Sequence, residues 1–430
     1  MIEKTNHMTS KTTAPQTGTT VEHPLRVRTL TRRSLFAELG ATAVAAGIAV
    51  SCTKPAAAVP ALTSSYIPIL DCVPIVVAYA KNFFAEAGIK ADKPVLIRTW
   101  PALMEAFTAK QTLLTHILLP QVLVLRYGRK IPLRSVAFNH TDVVAMMLAK
   151  GVRELKDLGG KTVGCPTWWA PHTGIFQDVL RQVGLKPVVG KEEKDLARDE
   201  VAFRVIAPPD MVDGLKSQRI AGCSVSEPFG AAAEILAGAT LVKMSGDVWK
   251  EHPCCQSVML EETINRDRQW SEAVTTAIFR ACLWAHNNRE EVADLLGKDG
   301  GGYFPMPKAI IRRALLKQDL ATYGPDGTGA IMHTNWNVYR VKFNPYPYPS
   351  AFDITLEMMR RMVVDPSTPL PPVLATAKGQ EVDQTIVDYD LANKALAAVG
   401  GEQAFGVTGP KPLQRTEQYQ VVLKASEATR

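Results

Sequence analysis

The sequence predicts an α/β protein built from two lobes that are joined by a hinge. Three observations lead to this prediction. From Ser64 onward, short apolar runs alternate with amphipathic helical stretches, a pattern typical of α/β folds with parallel sheets. A helix followed by a turn and a short buried strand occurs twice, at residues 103–119 and 211–225. Two apolar strands, 142–149 and 256–260, lie about 110 residues apart, which is close to the usual size of one domain.

The first elements follow one another in a regular order. Residues 66–70 predict a strand, and residues 74–87 predict a helix that ends at Gly88. The next strand is expected at 95–98 and the next helix at 101–110. The last third of the chain is mostly helical in pattern. Strands that alternate with helices in this way favour parallel pairing within each lobe.

The two apolar strands are interpreted as crossings between the lobes. Lobe 1 is then discontinuous and consists of residues 64–142 and 254–400, whereas lobe 2 consists of residues 143–253. Residues 401–430 are polar and predict a loose C-terminal tail. Two crossings form a hinge, and a hinge between α/β lobes closes around a ligand.

The N-terminal segment predicts an export signal. Arg32 and Arg33 precede an apolar, Ala-rich run over residues 39–50, and positive charge before a short apolar core is typical of a signal peptide. The run is too short to cross a bilayer, which needs about 20 residues. The adjacent arginines match the twin-arginine signal, so residues 1–51 are expected to direct export of the folded protein.

The apolar run ends in a sequence similar to a bacterial lipobox. Small residues at 49–51 precede Cys52, which would become the first residue of the mature protein and carry lipid. Ordinary cleavage after residues 56–58 is the alternative. The expected location is therefore the outer face of the cell membrane, with a lipid anchor at Cys52, or the periplasm.

Composition excludes several other classes of protein. Removing residues 1–51, which carry six positive and three negative side chains, lowers the formal net charge from +7 to +4. No basic stripe with interleaved aromatic residues occurs, so nucleic acid is not expected as a partner. Seven cysteines without regular spacing do not predict a disulfide scaffold. The glycines at 300–302 lack the strand–turn–helix context of a phosphate-binding loop.

Eight short motifs occur in the order found in one family of transport proteins. Their residues are Tyr66–Asp71 with Pro74, Thr99–Leu103, Glu154–Leu158, Gly160–Gly164, His172, Pro208–Met211, Ser226–Phe229 and Asp247–Pro253. Together they resemble the nitrate/bicarbonate-binding lipoproteins of ABC importers, within a superfamily that also binds sulfonates, taurine and thiamine precursors. The resemblance covers about residues 64–260 and fades toward the C-terminus. It implies the two-lobed, type II periplasmic-binding fold with a central ligand cleft.

The function implied by this resemblance is solute capture. A small polar solute, similar to nitrate, bicarbonate or a sulfonate, would bind between the lobes and pass to a membrane permease with its ATPase subunits. Trp100 and the backbone near Ala102 would line the cleft from lobe 1. His172 and Pro208 would line it from lobe 2. Neither a catalytic residue nor a cofactor is implied.

Two positions depart from the family pattern. Asp142 stands where nitrate binders usually have Gln, and Cys255 stands where the family usually has Lys or Glu. Both are expected to contact the ligand. The changes remove a positive charge and add a negative one, and one unit charge about 4 Å away costs ~4 kcal/mol at an effective dielectric of 20. They therefore argue against nitrate and leave open a neutral amide or a cationic, pyrimidine-like solute.

A metal site is a second interpretation of the same residues. His252, Cys254 and Cys255, with His172 and Asp142 opposite, include suitable donor types. Zinc sites normally place two or more residues between cysteine ligands, so adjacent cysteines favour two small residues at the start of a buried strand. No metal is assigned from the sequence.

An enzyme and a sensor also fit this fold. The same fold hosts a desulfinase with a nucleophilic cysteine, and Cys72, just before Pro74, is the best nucleophile candidate because a helix N-terminus lowers a thiol pKa. The export signal and the lack of a GxSxG elbow argue against an enzyme. An exported sensor that closes around the same solute is not distinguished from an importer component by the sequence.

Overall fold

The structure is a computed structural model that describes residues 61–336, 338–407 and 415–428. The predicted signal peptide and the lipidation candidate Cys52 lie outside the described residues. The strands are β1 (Ser64–Tyr66), β2 (Val95–Leu96), β3 (Leu114–Leu118), β4 (Leu133–Phe138), β5 (Thr141–Asp142), β6 (Val144–Leu148), β7 (Lys161–Cys165), β8 (Lys186–Val188), β9 (Glu200–Val205), β10 (Gly222–Ser226), β11 (Thr240–Met244), β12 (Cys255–Leu260) and β13 (Val341–Lys342).

Helices follow most of the strands. They are α1 (Val73–Ala80), α2 (Phe83–Glu86), α3 (Trp100–Thr108), α4 (Leu119–Leu123), α5 (Pro171–Gln182), α6 (Pro208–Lys216), α7 (Phe229–Ala237), α8 (Glu261–Arg266), α9 (Arg268–Asn287), α10 (Arg289–Leu296), α11 (Lys308–Leu315), α12 (Leu320–Tyr323), α13 (Ser350–Arg361), α14 (Gly379–Ile386), α15 (Tyr389–Ala398) and α16 (Ala425–Ala428). None of these described helices has both the length and the apolar character needed to cross a bilayer.

Proline marks the start of the helices that border the space between the sheets. Pro101 lies in the first turn of α3, and Pro171 and Pro208 are the first residues of α5 and α6. Proline suits these positions because the first N–H groups of a helix have no partner within the helix and its φ angle is already helical. The predicted helix at 74–87 is instead split into α1 and α2, since Asn82 adopts a left-handed conformation.

The strands form two main sheets of mixed direction. The first sheet has the order β2-β1-β3-β12-β4, and the second has the order β11-β6-β10-β7-β9-β8. A small third pair joins β13 to β5. We call the first sheet and its helices lobe 1, and the second sheet and its helices lobe 2.

Purely parallel sheets are the one part of the fold-class prediction that is wrong. β12 runs antiparallel to both β3 and β4, and β6 runs antiparallel to both β10 and β11. The cause is the route of the chain. Each of these strands enters its sheet from the other lobe, so it begins at the edge where the parallel strands end.

Two segments carry the chain between the lobes. We call residues 139–143 the outward crossing and residues 245–254 the return crossing. The lobe boundaries predicted from the sequence, at 142/143 and 253/254, fall within these segments. The lobes touch beside the outward crossing, where the Leu70 N–H donates to the Glu227 carbonyl at 2.8 Å.

The C-terminal third contacts both lobes. Helix α13 packs against α4 of lobe 1 and α5 of lobe 2, and α11 packs against α7 of lobe 2. An ion pair joins Arg361 of α13 to Asp178 of α5, with a distance of 2.6 Å between Nη2 and Oδ2. Residues 308–361 therefore do not pack on lobe 1 alone.

The predicted loose tail is corrected for residues 415–428. The Trp249 indole donates to Glu417 Oε2 at 2.6 Å, and the Tyr419 hydroxyl donates to Asp178 Oδ2 at 2.5 Å. Tyr419 also pairs with Trp249 in an isolated β-bridge. The polar residues that predicted a loose tail instead form hydrogen bonds with residues of the two lobes.

Candidate functional site

Buried polar side chains of both lobes meet at facing edges of the two sheets. Because the carboxyl ends of parallel strands meet at one edge, residues that follow β1, β3 and β4 collect there, together with the start of the antiparallel β12. The ends of β7 and β10 form the corresponding edge of lobe 2. Ligands of open α/β sheets bind at such carboxyl ends. Five fully buried residues define what we call the histidine centre: Asp71, His116, His140, His172 and His252.

Asp71 and His140 form a buried ion pair within the histidine centre. His140 Nε2 lies 3.1 Å from Asp71 Oδ1. Burial opposes both charges, but the attraction and hydrogen bond between the two groups outweigh it, so the pKa of His140 rises to about 10 and the pKa of Asp71 falls below its usual range. Asp71 Oδ2 and His140 Nδ1 have no hydrogen-bond partner. The pair is therefore charged but incompletely satisfied.

Two cysteines of the return crossing and β12 lie against this ion pair. The Cys254 thiol donates to Asp71 Oδ1 at 3.4 Å, and the Cys255 backbone nitrogen lies 3.3 Å from His140 Nε2. One donor atom from each of these four side chains falls within 4.8 Å of all the others. Burial, together with the neighbouring Cys254 and Asp71, raises the pKa of Cys255 well above its usual value. The predicted ligand residue Cys255 is thus a buried thiol beside Asp71 and His140.

His116 lies in β3 and is the lobe 1 histidine of the centre. The Ile67 N–H donates to His116 Nε2 at 3.0 Å, so the ring proton sits on Nδ1. Nδ1 has no partner. Burial lowers the pKa of His116 to about 4, which leaves the ring neutral near pH 7. The predicted ligand residue Trp100 is buried and packs edge-on against this ring, with 5.7 Å between the ring centroids.

His172 is the corresponding histidine of lobe 2. It follows Pro171 in the first turn of α5, and its Nε2 lies 2.5 Å from the Ser226 hydroxyl at the end of β10. Its Nδ1 has no partner, and burial lowers its pKa to about 4. His172 also interacts electrostatically with Asp71. The structure therefore brings the predicted residue His172 into the centre, next to lobe 1.

His252 links the two crossings and is fully bonded. His252 Nδ1 lies 3.1 Å from the Pro253 carbonyl, which can only accept, so Nδ1 carries the ring proton and donates. The Ser245 hydroxyl accepts the Val144 N–H at 3.1 Å and lies 2.6 Å from His252 Nε2, and it donates to that nitrogen because Nε2 of the neutral ring is an acceptor. Burial lowers the pKa of His252 to about 3. This ring is a structural link between the crossings.

The predicted ligand residue Asp142 lies in the outward crossing with unusual backbone geometry. Asp142 and Val143 have φ angles of 69° and 92°, and a positive φ is a genuine outlier for a β-branched residue. The Asp142 N–H donates to the His252 carbonyl at 2.9 Å, and the Val143 N–H donates to the Arg340 carbonyl at 2.6 Å. Burial raises the pKa of Asp142 to about 7. The strained crossing is held by bonds to the return crossing and to the C-terminal third.

The remaining predicted residues are Ala102 and Pro208. Ala102 is exposed on α3. Pro208 is buried at the start of α6, where it has no backbone N–H to donate. A cavity of about 290 Å³ adjoins the region between α4 and the β7–α5 loop. It is lined by Met104, Gln121, Val124, Leu125, Arg129, Thr167, Trp168, Trp169, Ser367, Thr368 and Pro369.

The structure does not support Cys72 as an activated nucleophile. Cys72 is fully buried immediately before α1. Burial and the charge of Asp71 raise the pKa of the Cys72 thiol well above its usual value. A nucleophilic cysteine needs the opposite shift, because the thiolate is the reactive species.

Sequence reasoning missed Asp71, His116, His140 and Ser226 as members of the site. Their signal was present in the pattern. His116 interrupts an apolar strand, and His140 lies two residues after another, so each is a polar residue in or beside a run expected to be buried. Histidines in and just after two strands of one sheet would have indicated a common site.

The sequence is similar to one protein family and to several transport proteins. The family model described as NMT1-like family matches residues 55–297. The nitrate/nitrite binding protein NrtA of Nostoc sp. is 24% identical over 273 residues, which cover 58% of this chain and 59% of that protein. The nitrate import ATP-binding protein NrtC of Synechocystis sp. is 26% identical over 250 residues, which cover 55% of this chain and 37% of that protein. The chain thus spans less than two thirds of the length of these relatives.

A solved structure shows the fold over most of the chain. The periplasmic nitrate-binding protein NrtA from Synechocystis PCC 6803 superposes with a TM-score of 0.67 at 17% sequence identity. The match covers 84% of this chain and 94% of the other. The predicted two-lobed periplasmic-binding fold is therefore confirmed.

Proposed function

Because this chain belongs to the NMT1-like family, we propose that it is the solute-binding component of an ABC importer on the extracytoplasmic side of the cell membrane. It captures a small polar solute between its two lobes and delivers it to a membrane permease. The observation that carries the proposal is the pair of buried histidines, His116 from lobe 1 and His172 from lobe 2. Each has one ring nitrogen without a hydrogen-bond partner.

Unpaired buried polar atoms are costly, so their concentration at one place supports a ligand site. A buried donor or acceptor without a partner costs about 1–3 kcal/mol. Besides the two histidines, the Ser224 hydroxyl and both amide atoms of Gln256 are buried without partners. Ser224 shares a face of β10 with Ser226, and Gln256 is the second residue of β12. A solute with several donors and acceptors would satisfy these atoms, and Trp100 would supply an apolar wall.

The charge of the site favours a neutral or weakly charged solute. His116 and His172 are neutral near pH 7 because burial lowers the pKa of each to about 4. They can therefore donate or accept a hydrogen bond but do not attract an anion by charge. This agrees with the sequence argument against nitrate, and it favours amides, protonated oxyacids or small heterocycles.

The importer role adds partners and a location to solute binding. We propose a permease and ATPase as partners, export by the twin-arginine signal, and a lipid anchor at Cys52. The nitrate import ATP-binding protein among the relatives supports an importer context. The arginine pair and the lipobox-like sequence before Cys52 support export and anchoring. We assign no catalytic residue.

A thermal-shift panel tests the proposal directly. The purified protein is heated with nitrate, bicarbonate plus calcium, cyanate, taurine, alkanesulfonates, urea and aminopyrimidines. A solute present at 100 times its Kd adds about 2.7 kcal/mol to the free energy of unfolding, which gives a visible rise in Tm. We expect a hit from a neutral or weakly charged compound. Uptake of that compound by cells with and without the protein then distinguishes an importer from a sensor.

Variants test whether the solute that raises Tm binds at the histidine centre. His172→Asn should abolish the ligand-induced rise in Tm. His286→Asn, which changes a half-buried histidine packed on Phe405, should retain it. A panel without any hit, or a rise that survives His172→Asn, would count against the proposed site.

A further inference from the structure

We propose that Asp71, His140, Cys254 and Cys255 together bind one divalent transition-metal ion of the zinc type. All four side chains are fully buried, and one donor atom of each lies within 4.8 Å of the others. A carboxylate oxygen, an imidazole nitrogen and two thiol sulfurs are the ligand types found in tetrahedral zinc sites. The proposal does not depend on the identity of the solute or on the importer role.

The distances are close to those of a tetrahedral site. Metal–ligand bonds of 2.0–2.3 Å separate two tetrahedral ligands by about 3.3–3.8 Å. His140 Nε2 lies 3.1 Å from Asp71 Oδ1, and Cys254 Sγ lies 3.4 Å from the same oxygen. Since the widest separation in the set is 4.8 Å, small side-chain movements bring the four atoms onto a common centre.

A second observation points to a ligand at this place. Asp71 Oδ2 is a carboxylate oxygen of a fully buried residue, yet it has no hydrogen-bond partner. His140 Nδ1 is also buried without one. Buried carboxylates that serve only as structural hydrogen-bond acceptors are normally satisfied on both oxygens. An ion bound to the Asp71 carboxylate would use the bonding capacity that its Oδ2 leaves open.

Adjacent cysteines argued against a metal when only the sequence was considered. Successive side chains of a regular strand point to opposite faces, which would separate Cys254 from Cys255. Cys254, however, belongs to the return crossing and precedes the first residue of β12. The change from crossing to strand between them allows both sulfurs to lie beside Asp71 and His140.

The origin of the ligands suggests what the ion does. Asp71 follows β1, His140 lies in the outward crossing, and Cys254 and Cys255 end the return crossing and begin β12. The ion would therefore fasten both crossings to lobe 1. None of these four ligands comes from a strand of the second sheet, so lobe 2 can open without breaking the coordination. Four protein ligands also complete a tetrahedral shell, as in structural zinc sites rather than in sites that release their ion.

Metal binding must exchange protons for the ion. The ion displaces the thiol protons of the ligating cysteines and the Nε2 proton of His140, because ligands bind in their deprotonated forms. Two thiolates, one carboxylate and a divalent ion leave one net negative charge.

Cobalt titration tests the site in the complete chain. All proteins carry Cys52→Ser, so that thiol signals come from the described cysteines. The protein is purified with a phosphine reductant, stripped of metal with a chelator and titrated with Co²⁺. We expect one Co²⁺ per chain, tetrahedral d–d absorption, a thiolate-to-cobalt charge-transfer band, and displacement of Co²⁺ by one equivalent of Zn²⁺.

Variants separate this site from adventitious binding to other histidines. Cys254→Ser and Cys255→Ser should each reduce the charge-transfer band. Asp71→Asn should weaken affinity by more than the roughly 10–100-fold typical of an outer-shell change. Cys223→Ser, in which a buried cysteine of β10 outside the cluster is changed, should bind like the parent.

Two results would overturn the proposal. One is a parent protein that binds no stoichiometric Co²⁺ with thiolate absorption, a result that does not depend on whether any variant folds. The other is a charge-transfer band that stays unchanged in both Cys254→Ser and Cys255→Ser. Solute binding measured in the chelator-treated protein reports separately on the proposed transport function.

Discussion

Two buried polar clusters of this molecule differ in how completely their atoms are bonded. Arg340 is buried in the C-terminal third and forms what we call the arginine network. Its guanidinium lies 2.7 Å from Glu227 Oε1 and 2.6 Å from Glu234 Oε2, and it donates to Gln318 Oε1 at 2.9 Å. The other Glu227 oxygen accepts the Ala231 N–H at 2.9 Å. In the histidine centre, by contrast, four side chains retain an atom without a partner.

This difference distinguishes buried polar residues that stabilise the fold from buried polar residues that are available to bind a ligand. A fully satisfied network holds one arrangement, and it joins the C-terminal third to lobe 2 through buried ion pairs. A partly satisfied centre retains donors and acceptors that a ligand can use. Departures from the usual rules of protein structure, such as unpaired buried polar atoms, typically occur at functional sites. Glu227 lies in one of the motifs shared with transport proteins, yet its contacts assign it to the structural cluster.

The largest effect is expected from Arg340→Met. The substitution leaves Glu227 and part of Glu234 buried without their cation. Breaking a buried ion pair by removing one partner costs about 3–5 kcal/mol. Denaturant unfolding of the variant and the parent measures this loss of free energy of unfolding.

An exposed arginine provides the matched control. Arg312 pairs with Glu290 at 2.6 Å, but both side chains are about half exposed. Arg312→Met should therefore change stability little, because solvent already screens that pair. Equal losses in the two variants would mean that the arginine network does not contribute through its buried charges.

An intermediate effect is expected from Asp71→Asn in the metal-free protein. The change removes the charge that stabilises protonated His140. Histidine can release its proton when its partner is lost, whereas arginine cannot, so the loss should be smaller than for Arg340→Met. We expect about 1–3 kcal/mol, measured by denaturant unfolding in the presence of a chelator.

A double-mutant cycle sharpens this second prediction. His140→Gln is combined with Asp71→Asn, and the coupling energy is obtained from the four unfolding free energies. Contacting residues in one network usually couple by about 0.5–3 kcal/mol. Strict additivity of the two losses would show that the 3.1 Å contact contributes nothing to stability.

The same contrast explains which parts of the structure could be predicted from the sequence alone. Apolar runs and proline positions predicted six of the thirteen described strands and the starts of α3 and α5, because these signals are local. The arginine network was not predicted from the sequence, since Arg340 and Glu227 are 113 positions apart and no motif joins them. The antiparallel setting of β6 and β12 depends on the route between lobes, which no local pattern encodes.

The site was predicted only in part, because its residues come from segments that are distant in the sequence. His172 and Cys255 were identified through resemblance, and the structure brings both close to Asp71. Asp71 and His140 come from separate elements that only the sheet edge brings together. Ala102 was included because the resemblance implied that the backbone near it lines the cleft, and its side chain is exposed on α3.

The smallest effect is expected from Ser226→Ala, which probes how the histidine centre is positioned. The Ser226 hydroxyl lies 2.5 Å from His172 Nε2, so its removal leaves both nitrogens of a buried ring without partners. We expect a loss of about 1 kcal/mol in the free energy of unfolding, at the lower end of the cost of an unsatisfied buried group. We also expect the His172 ring to lose its fixed orientation, so the ligand-induced rise in Tm should shrink.

Thr355→Val is the control for this last prediction. Thr355 is buried in α13, where its hydroxyl donates to the Ala351 carbonyl at 2.7 Å. That carbonyl also belongs to the backbone hydrogen bonding of the helix, so losing the hydroxyl leaves it bonded. The ligand-induced rise should therefore be unchanged in Thr355→Val. If Ser226→Ala also retained the full ligand-induced rise in Tm, Ser226 would be a structural residue, as Arg340 is. His172 would then bind the solute without the help of Ser226.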